Sequence, residues 1–327
     1  MIEVRAPSRL HFGLLALGGG YRQFGGVGLM VQKPDTVVCI EEANEFTATG
    51  PSADRAVRFA RTFVERCRER GITEAPLGGA IRIVRAPRTH AGLGSGTQLG
   101  MAVARALALM IDRDDWDAAQ LSTMVGRGER SAIGAYGFFT GGLIVEAGKI
   151  DEARLSPLVV QQPFCDDWRI VLICPRHLEG LAGESERRAF AAMATISDEA
   201  TARMCRLVLM GLVPAMLEAD LPTFGEALYD LQQIAGGCFR QAQGGVYADP
   251  LLADIVKFLR DRGVPGVGQS SWGPALYAFT ANQRHALELA DQVRDAFDLT
   301  SEEIIVTEAD NHGAVTRNLH GSAQSVR

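Results

Sequence analysis

The stretch RAPRTHAGLGSGTQL, Arg85 to Leu99, is a glycine-rich turn set between two elements of different period. Before it, Ile81 to Val84 reads as a short strand. After it, Leu99, Val103, Ala106, Leu107 and Met110 recur at helical spacing. Glycines permit close backbone approach, and successive N–H groups with hydroxyls at a helix N-terminus attract an anion. Gly92, Gly94, Ser95, Gly96 and Thr97 are therefore candidate phosphate-binding residues, flanked by His90 and Gln98. No lysine follows as in a Walker loop, and no placed acid follows as in a dinucleotide fold. A plain helix entry capped by Ser95 or Thr97 would use the same residues.

Working outward, Ile2 to Ala6 reads as a strand leading into PSRLHFG, Pro7 to Gly13. Alternation puts Arg9 and His11 on one side of that segment, an arrangement suited to an oxyanion. It equally suits a near-core histidine beside an edge arginine. Thr36 to Glu42 reads as a further strand, and Ser52 caps a helix over Ala53 to Arg70 that stops at Gly71. Past the glycine turn, a helix over Trp116 to Val125 is introduced by Asp114 and Asp115. A glycine-rich stretch with Phe138 and Phe139 follows, then a strand, Leu143 to Ala147.

Gln161 to Asp167 reads as a linker, which divides the chain into domains 1–165 and 166–327. The second half is helix-rich, with helices expected near 185–196, 198–213, 215–234 and 250–262 and over Gln283 to Phe297. Strands are expected at Arg169 to Cys174, at Ala275 to Thr280 and near 303–308 and 313–318. Without regular βαβ alternation, this is a two-domain α+β architecture. Within it, GVGQSSWGP, Gly266 to Pro274, crowds an amide, two hydroxyls and an indole into one turn. Gln269, Ser270 and Ser271 can contact phosphate or sugar, and Trp272 can stack on a ring or close the domain interface.

The 327 residues carry a formal charge of −6, 47% of them are hydrophobic and the pI is near 5.6. That balance argues for a folded protein and against nucleic-acid or anionic-lipid partners. The opening MIEVRAPSR lacks a signal-peptide pattern. The apolar run Leu207 to Leu217, interrupted by Pro214, is about half a membrane span. Six cysteines without a CxxC pair read as free thiols in a reducing cytoplasm. Only Lys33, Lys149 and Lys257 of the 33 basic residues are lysines, so anion recognition falls to arginine. Glu129 in GRGERS is a candidate catalytic carboxylate. Glu184 and Glu186 in AGESERR, and His312 in DNHGAV, fit either a polar site or solvated surface and turn roles.

Together the PxR segment, the GLGS loop and the C-terminal glycine turn resemble the three motifs of the GHMP kinase superfamily. More specifically, SRLHFGLL, HAGLGSGTQL and GQSSWGP resemble the branch of β-ribofuranosylaminobenzene 5′-phosphate synthases. The resemblance implies a two-domain GHMP-kinase-like α+β fold. It also implies condensation of phosphoribosyl pyrophosphate with para-aminobenzoate or para-hydroxybenzoate, with loss of pyrophosphate and CO2, as an early step of tetrahydromethanopterin biosynthesis. Under this reading Gly92, Gly94, Ser95, Gly96 and Thr97 hold a phosphate, and Arg9 and His11 lie near a second anion. Gln269, Ser270, Ser271 and Trp272 line the ring or ribose pocket, and Mg²⁺ accompanies the diphosphate. A homodimer is a reasonable default at this size. Two departures bear on chemistry: the aspartate many of these kinases carry falls on Gly134, and the N-terminal lysine of some is Arg9. The alternatives are an ATP-dependent small-molecule kinase and a ligand-binding protein without catalysis.

Overall fold

The computed structural model describes residues 1–18, 20–73, 77–151, 154–180, 188 and 195–319. Two antiparallel-rich sheets organise the chain. The first is built on a long hairpin, β1 (Ile2–Ala16) and β2 (Phe24–Glu42), both longer than periodicity suggests. Their glycines, which blur the alternation, are what the pairing requires: Gly28 lies against the Leu10 carbonyl so closely that a methyl group would collide with it. β2 also pairs with β4 (Gly79–Arg85) at its C-terminal half and with β5 (Leu143–Glu146) at its N-terminal half. β3 (Thr47–Thr49) and β6 (Leu158–Gln162) extend the edges. The expected linker therefore begins inside an edge strand.

The second sheet has the order β10 (Ile304–Thr307), β7 (Arg169–Ile173), β9 (Leu276–Thr280), β8 (Val267–Gln269). The two sheets follow the division near residue 165 with one exception. β11 (Val315–Asn318) returns to pair with Ile2–Arg5 of β1.

Alternation along the strands partitions the core. Ile170, Leu172, Tyr277 and Phe279 face inward to meet Leu10, Phe12, Val27 and Leu29 of the first sheet. Val171, Ile173, Leu276 and Ala278 face the opposite way, against α7 (Pro250–Asp261) and α8 (Gln283–Phe297). The first sheet's other surface covers Val4, Val38 and Ile40 with α1 (Ala53–Glu69), α2 (Ser95–Met110), α3 (Ala118–Met124) and α4 (Ile133–Thr140).

Three helical expectations are corrected. α3 begins after Trp116, because Asp117 rather than Asp114 or Asp115 caps it, in a reciprocal box with Gln120. The glycine-rich stretch with Phe138 and Phe139 is itself a helix, α4. Pro214 does not end a helix: α5 runs from Asp198 to Leu217 through a π segment, Val208–Leu212, where the Val213 N–H reaches back to the Val208 carbonyl. The widened turn accommodates a proline that has no N–H to donate. α5 is thus long and apolar enough to span a bilayer by length and composition. It instead packs Met204, Val208, Leu212 and Met216 into the shared core. The break comes at Ala219, where Asp220 caps α6 (Leu221–Gln243). The helix expected near 185–196, with Glu184 and Glu186, lies outside the described residues.

Candidate functional site

Backbone contacts bring the three glycine-bearing motifs together. The Arg9 N–H donates to the Leu93 carbonyl at 3.0 Å, and the His11 N–H to Ser270 Oγ at 3.0 Å. Ser270 Oγ in turn donates to the Gly92 carbonyl at 2.7 Å, and the Ser271 N–H to the His11 carbonyl at 3.2 Å. Gly92 and Gly273 are in backbone contact, so a methyl group on either would strike the other loop. The glycines therefore serve the joint between motifs as much as any ligand.

Beside this joint lies a cleft of roughly 920 Å³, part of it open to solvent. β1 supplies Arg9, His11 and Phe12, α2 supplies Thr97, and the segment before α4 supplies residues 126–131. α6 contributes Gln232, Phe239 and Gln243, and the C-terminal turn Gln269, Ser271 and Trp272. Three arginines, Arg9, Arg127 and Arg130, stand around it with one carboxylate among the described lining residues, Glu129. Trp272 meets the Phe239 ring edge-on at 4.6 Å and forms an aromatic wall.

The expected site residues separate into two groups. Arg9, His11, Thr97, Glu129, Gln269, Ser271 and Trp272 border the cleft. Ser271 does so at φ 57°, a conformation serine rarely adopts and one that accumulates at functional sites. His11 is buried, and that burial, with the Arg9 guanidinium beside it, holds its imidazole well below the usual 6.5. Burial disfavours the charged ring, so the cationic part of an Arg9–His11 pair is centred on Arg9. Ser270 does not face the cleft, because it is fully buried and its hydroxyl bridges β1 to the glycine loop.

Gln98 is likewise buried and turned away, donating from Nε2 to the Gly134 carbonyl at 2.9 Å. His90 is an exposed turn residue at φ 60°, whose carbonyl accepts from the Gly180 N–H. Gly92, Gly94, Ser95 and Gly96 form the loop behind Thr97; the Gly94 α-carbon packs against the Arg9 side chain. His312 is exposed in a turn held by Asp310 and away from the cleft. The left-handed position there is Gly313, while Asn311 uses its amide to hold the Phe164 backbone.

Sequence reasoning found Arg9 but missed Arg55, Arg127 and Arg130. Nη2 of Arg55, from the start of α1, and of Arg127 both lie against Gly96, where any side chain would collide with them. Two guanidiniums thus converge at the N-terminal turn of α2. Burial, then the nearby Arg58, lowers the Arg55 pKa from its ordinary value. That is the electrostatic setting in which a bound anion relieves like-charge crowding. The one signal for this was the shortage of lysine among the basic residues.

Gly134, where the resemblance to GHMP kinases places an aspartate, has close neighbours. A Cβ there would approach Thr97 Cγ2 to 3.1 Å and Gln98 Nε2 to 3.2 Å, so a side chain at this position is crowded and needs both neighbours to shift by a few tenths of an ångström. Among the described residues no three histidine, cysteine or carboxylate side chains converge on a metal position. A single cleft carboxylate fits Mg²⁺ carried largely by substrate phosphates and water, the mode this ion commonly takes.

Comparison with known proteins agrees with this architecture. The family described as GHMP kinases C terminal matches residues 212–299. A beta-ribofuranosylphenol 5'-phosphate synthase of Archaeoglobus fulgidus is 32% identical over 96% of this chain and 98% of its own. One of the same name from Methanothermobacter thermautotrophicus is 31% identical over 85% and 88%. Among solved structures, a homoserine kinase from Cytophaga hutchinsonii superposes with a TM-score of 0.70 at 16% identity, covering 97% of each chain. A mevalonate diphosphate decarboxylase from Staphylococcus aureus does so at 0.69 and 13%, covering 97% of this chain and 99% of its own. These two share the fold.

Proposed function

Because this chain belongs to the beta-ribofuranosylphenol 5'-phosphate synthase family, we propose that it catalyses a decarboxylating phosphoribosyl transfer. The donor is phosphoribosyl pyrophosphate and the acceptor a para-substituted benzoate. The relatives' name is that of a ribosylated phenol, which favours para-hydroxybenzoate over para-aminobenzoate as acceptor. The observation that carries the reading is an open cleft bearing three arginines and an aromatic wall, with a glycine, Gly134, where the resemblance to GHMP kinases places their aspartate. A kinase base is missing there, whereas a departing diphosphate has cations to receive it.

The chemistry follows from that arrangement. The bond from C1 of the ribose to pyrophosphate breaks, and its electron pair leaves with the diphosphate. Arg9, Arg127 and Arg130, together with the N–H groups at the α2 entry and Arg55, offset the charge that develops there. The ring carbon bearing the carboxylate attacks C1, and loss of CO2 returns the electron pair to the ring and restores aromaticity. Phe239 and Trp272 hold the acceptor ring against C1 and exclude water that would otherwise intercept the cationic sugar. Glu129 would be the protein ligand of a Mg²⁺ carried by the diphosphate, and such an ion would supply charge neutralisation there.

The test is release of labelled CO2 from carboxyl-labelled para-hydroxybenzoate and para-aminobenzoate, with Mg²⁺ and either phosphoribosyl pyrophosphate or ATP. Release that requires phosphoribosyl pyrophosphate is expected. No release from folded protein, with acceptor-dependent ADP formation in its place, would overturn the reading.

A further inference from the structure

The cleft segment 126–131 is poorly determined by its own sequence. It contains Gly126 at φ 64° and Gly128 at φ 79°, and α4 begins only after it. Yet it delivers Arg127, Glu129, Arg130 and Ser131 to the cleft. Two buried ionisable groups that no step above uses touch it from behind: Glu146 at the end of β5, and Lys149 three residues beyond it. Lys149 is 6% exposed and donates from Nζ to the carbonyls of both Gly128 and Glu129, at 3.0 Å each. Its backbone is locked by a two-way pair with Gln23 at 2.8 Å. Glu146, fully buried, accepts at Oε2 from the Ala132 N–H at 2.8 Å, and its Oε1 is buried without a hydrogen-bond partner.

We propose that Lys149 and Glu146 are positioning residues, which hold residues 127–131 in the conformation that presents Arg127, Glu129 and Arg130 to the diphosphate. The inference rests on the transfer reaction proposed above. The physical reason is that successive carbonyls of one loop aimed at a single point repel each other unless a cation gathers them. Lys149 supplies that cation, while Glu146 caps the opposite end of the loop at the entry to α4. The end of β5 and the bridge of Lys149 to Gln23 thereby fix a glycine-rich segment from both sides. Burial of such groups is costly unless their bonds are made, so the two residues favour one loop geometry over others. Glu146 also lies within electrostatic reach of Arg9. The same strand end thus bears on cleft cations from both β1 and the loop.

The test uses Lys149→Met, Lys149→Arg and Glu146→Asp in the full chain. Each is checked for folding by circular dichroism. Three quantities are then read: binding of Mg²⁺-pyrophosphate by calorimetry, kcat and KM in labelled CO2 release, and hydrogen exchange of residues 126–132. Misplaced catalytic groups cost about 10–100-fold in kcat/KM. A loss of that size is expected for Lys149→Met and Glu146→Asp, with weaker pyrophosphate binding and faster exchange confined to the loop. Partial rescue by Lys149→Arg is expected. Folded Lys149→Met and Glu146→Asp proteins with wild-type pyrophosphate affinity and kcat/KM would overturn the proposal. If Lys149→Met does not fold, Glu146→Asp decides by the same readings. Wild-type protein that binds pyrophosphate but releases no CO2 would count against the reaction, and loop exchange and pyrophosphate affinity would still judge the positioning role.

Discussion

Gly134 stands where the resemblance to GHMP kinases places an aspartate, and a Cβ there would press on Thr97 and Gln98 at 3.1 and 3.2 Å. Gly134→Asp is therefore expected to confer no ATP-dependent phosphoryl transfer. The carboxylate would meet Thr97 and Gln98, with an overpacking cost of about 1–3 kcal/mol; thermal unfolding and an ADP-release assay check both. His11 carries a different consequence. Its folded pKa lies below 6.5, so between the two values the unfolded chain binds more protons and the native state loses stability as pH falls. The loss starts near the unfolded value, can reach about 1.4 kcal/mol per pH unit, and stops below the folded value, where both states are protonated. Glu146, whose pKa is raised by burial, works in the opposite sense above the usual carboxylate value. The informative measurement is thus the difference in stability-versus-pH slope between wild type and His11→Gln. A shallower slope below pH 6.5 in the variant is expected. His11 and Arg9 were legible as a pair because strand alternation is strict; that the charged imidazole is disfavoured was not, because burial by α6 and the C-terminal turn is a tertiary fact.

Individual elements were readable where one face is apolar and the other polar. α1, α7 and α8 satisfy that condition and fall close to their expected bounds. α4 does not, because it is apolar nearly all round, and its glycines disguise a buried helix as a loop. The hairpin of β1 and β2 was foreshortened for a related reason. Glycines that let strands, α6 and the C-terminal turn approach one another remove the side chains that periodicity relies on. The three motifs were visible as chemistry, yet Ser270 and Gln98 turn out to join elements rather than meet ligand. Ser270→Ala tests this. Removing Oγ leaves the buried His11 N–H without its acceptor and the Gly92 carbonyl without its donor, at about 1–3 kcal/mol. A lower urea midpoint with an unchanged slope is expected, as for a loss of native contacts. An unchanged midpoint would show that the joint is held by the remaining backbone pairs alone.

Across the whole molecule, the arginine-lined cleft exists because the chain's halves are not independent bodies. β1 and β2 share one core with α5, α6, β7 and β9, and β11 carries the end of the described chain back to the first sheet. The Asp310 N–H bonds the Met30 carbonyl at 2.9 Å, and the Gly142 N–H the Asp310 carbonyl at 2.6 Å, close to the cleft's supporting helix. A division near residue 165, natural to sequence reading because patterning restarts at Arg169, passes through that common core. Separating the halves would expose Phe12, Leu29, Phe224 and Phe279 at once. Unfolding in calorimetry is therefore expected as a single transition. Mg²⁺-pyrophosphate, although the cations proposed to hold it all belong to the first half, should move that transition as a whole, because the core is shared. At 100 times its Kd the stabilisation is about 2.7 kcal/mol. Two transitions, of which only the N-terminal one responds to pyrophosphate, would mean that the shared core does not couple the halves.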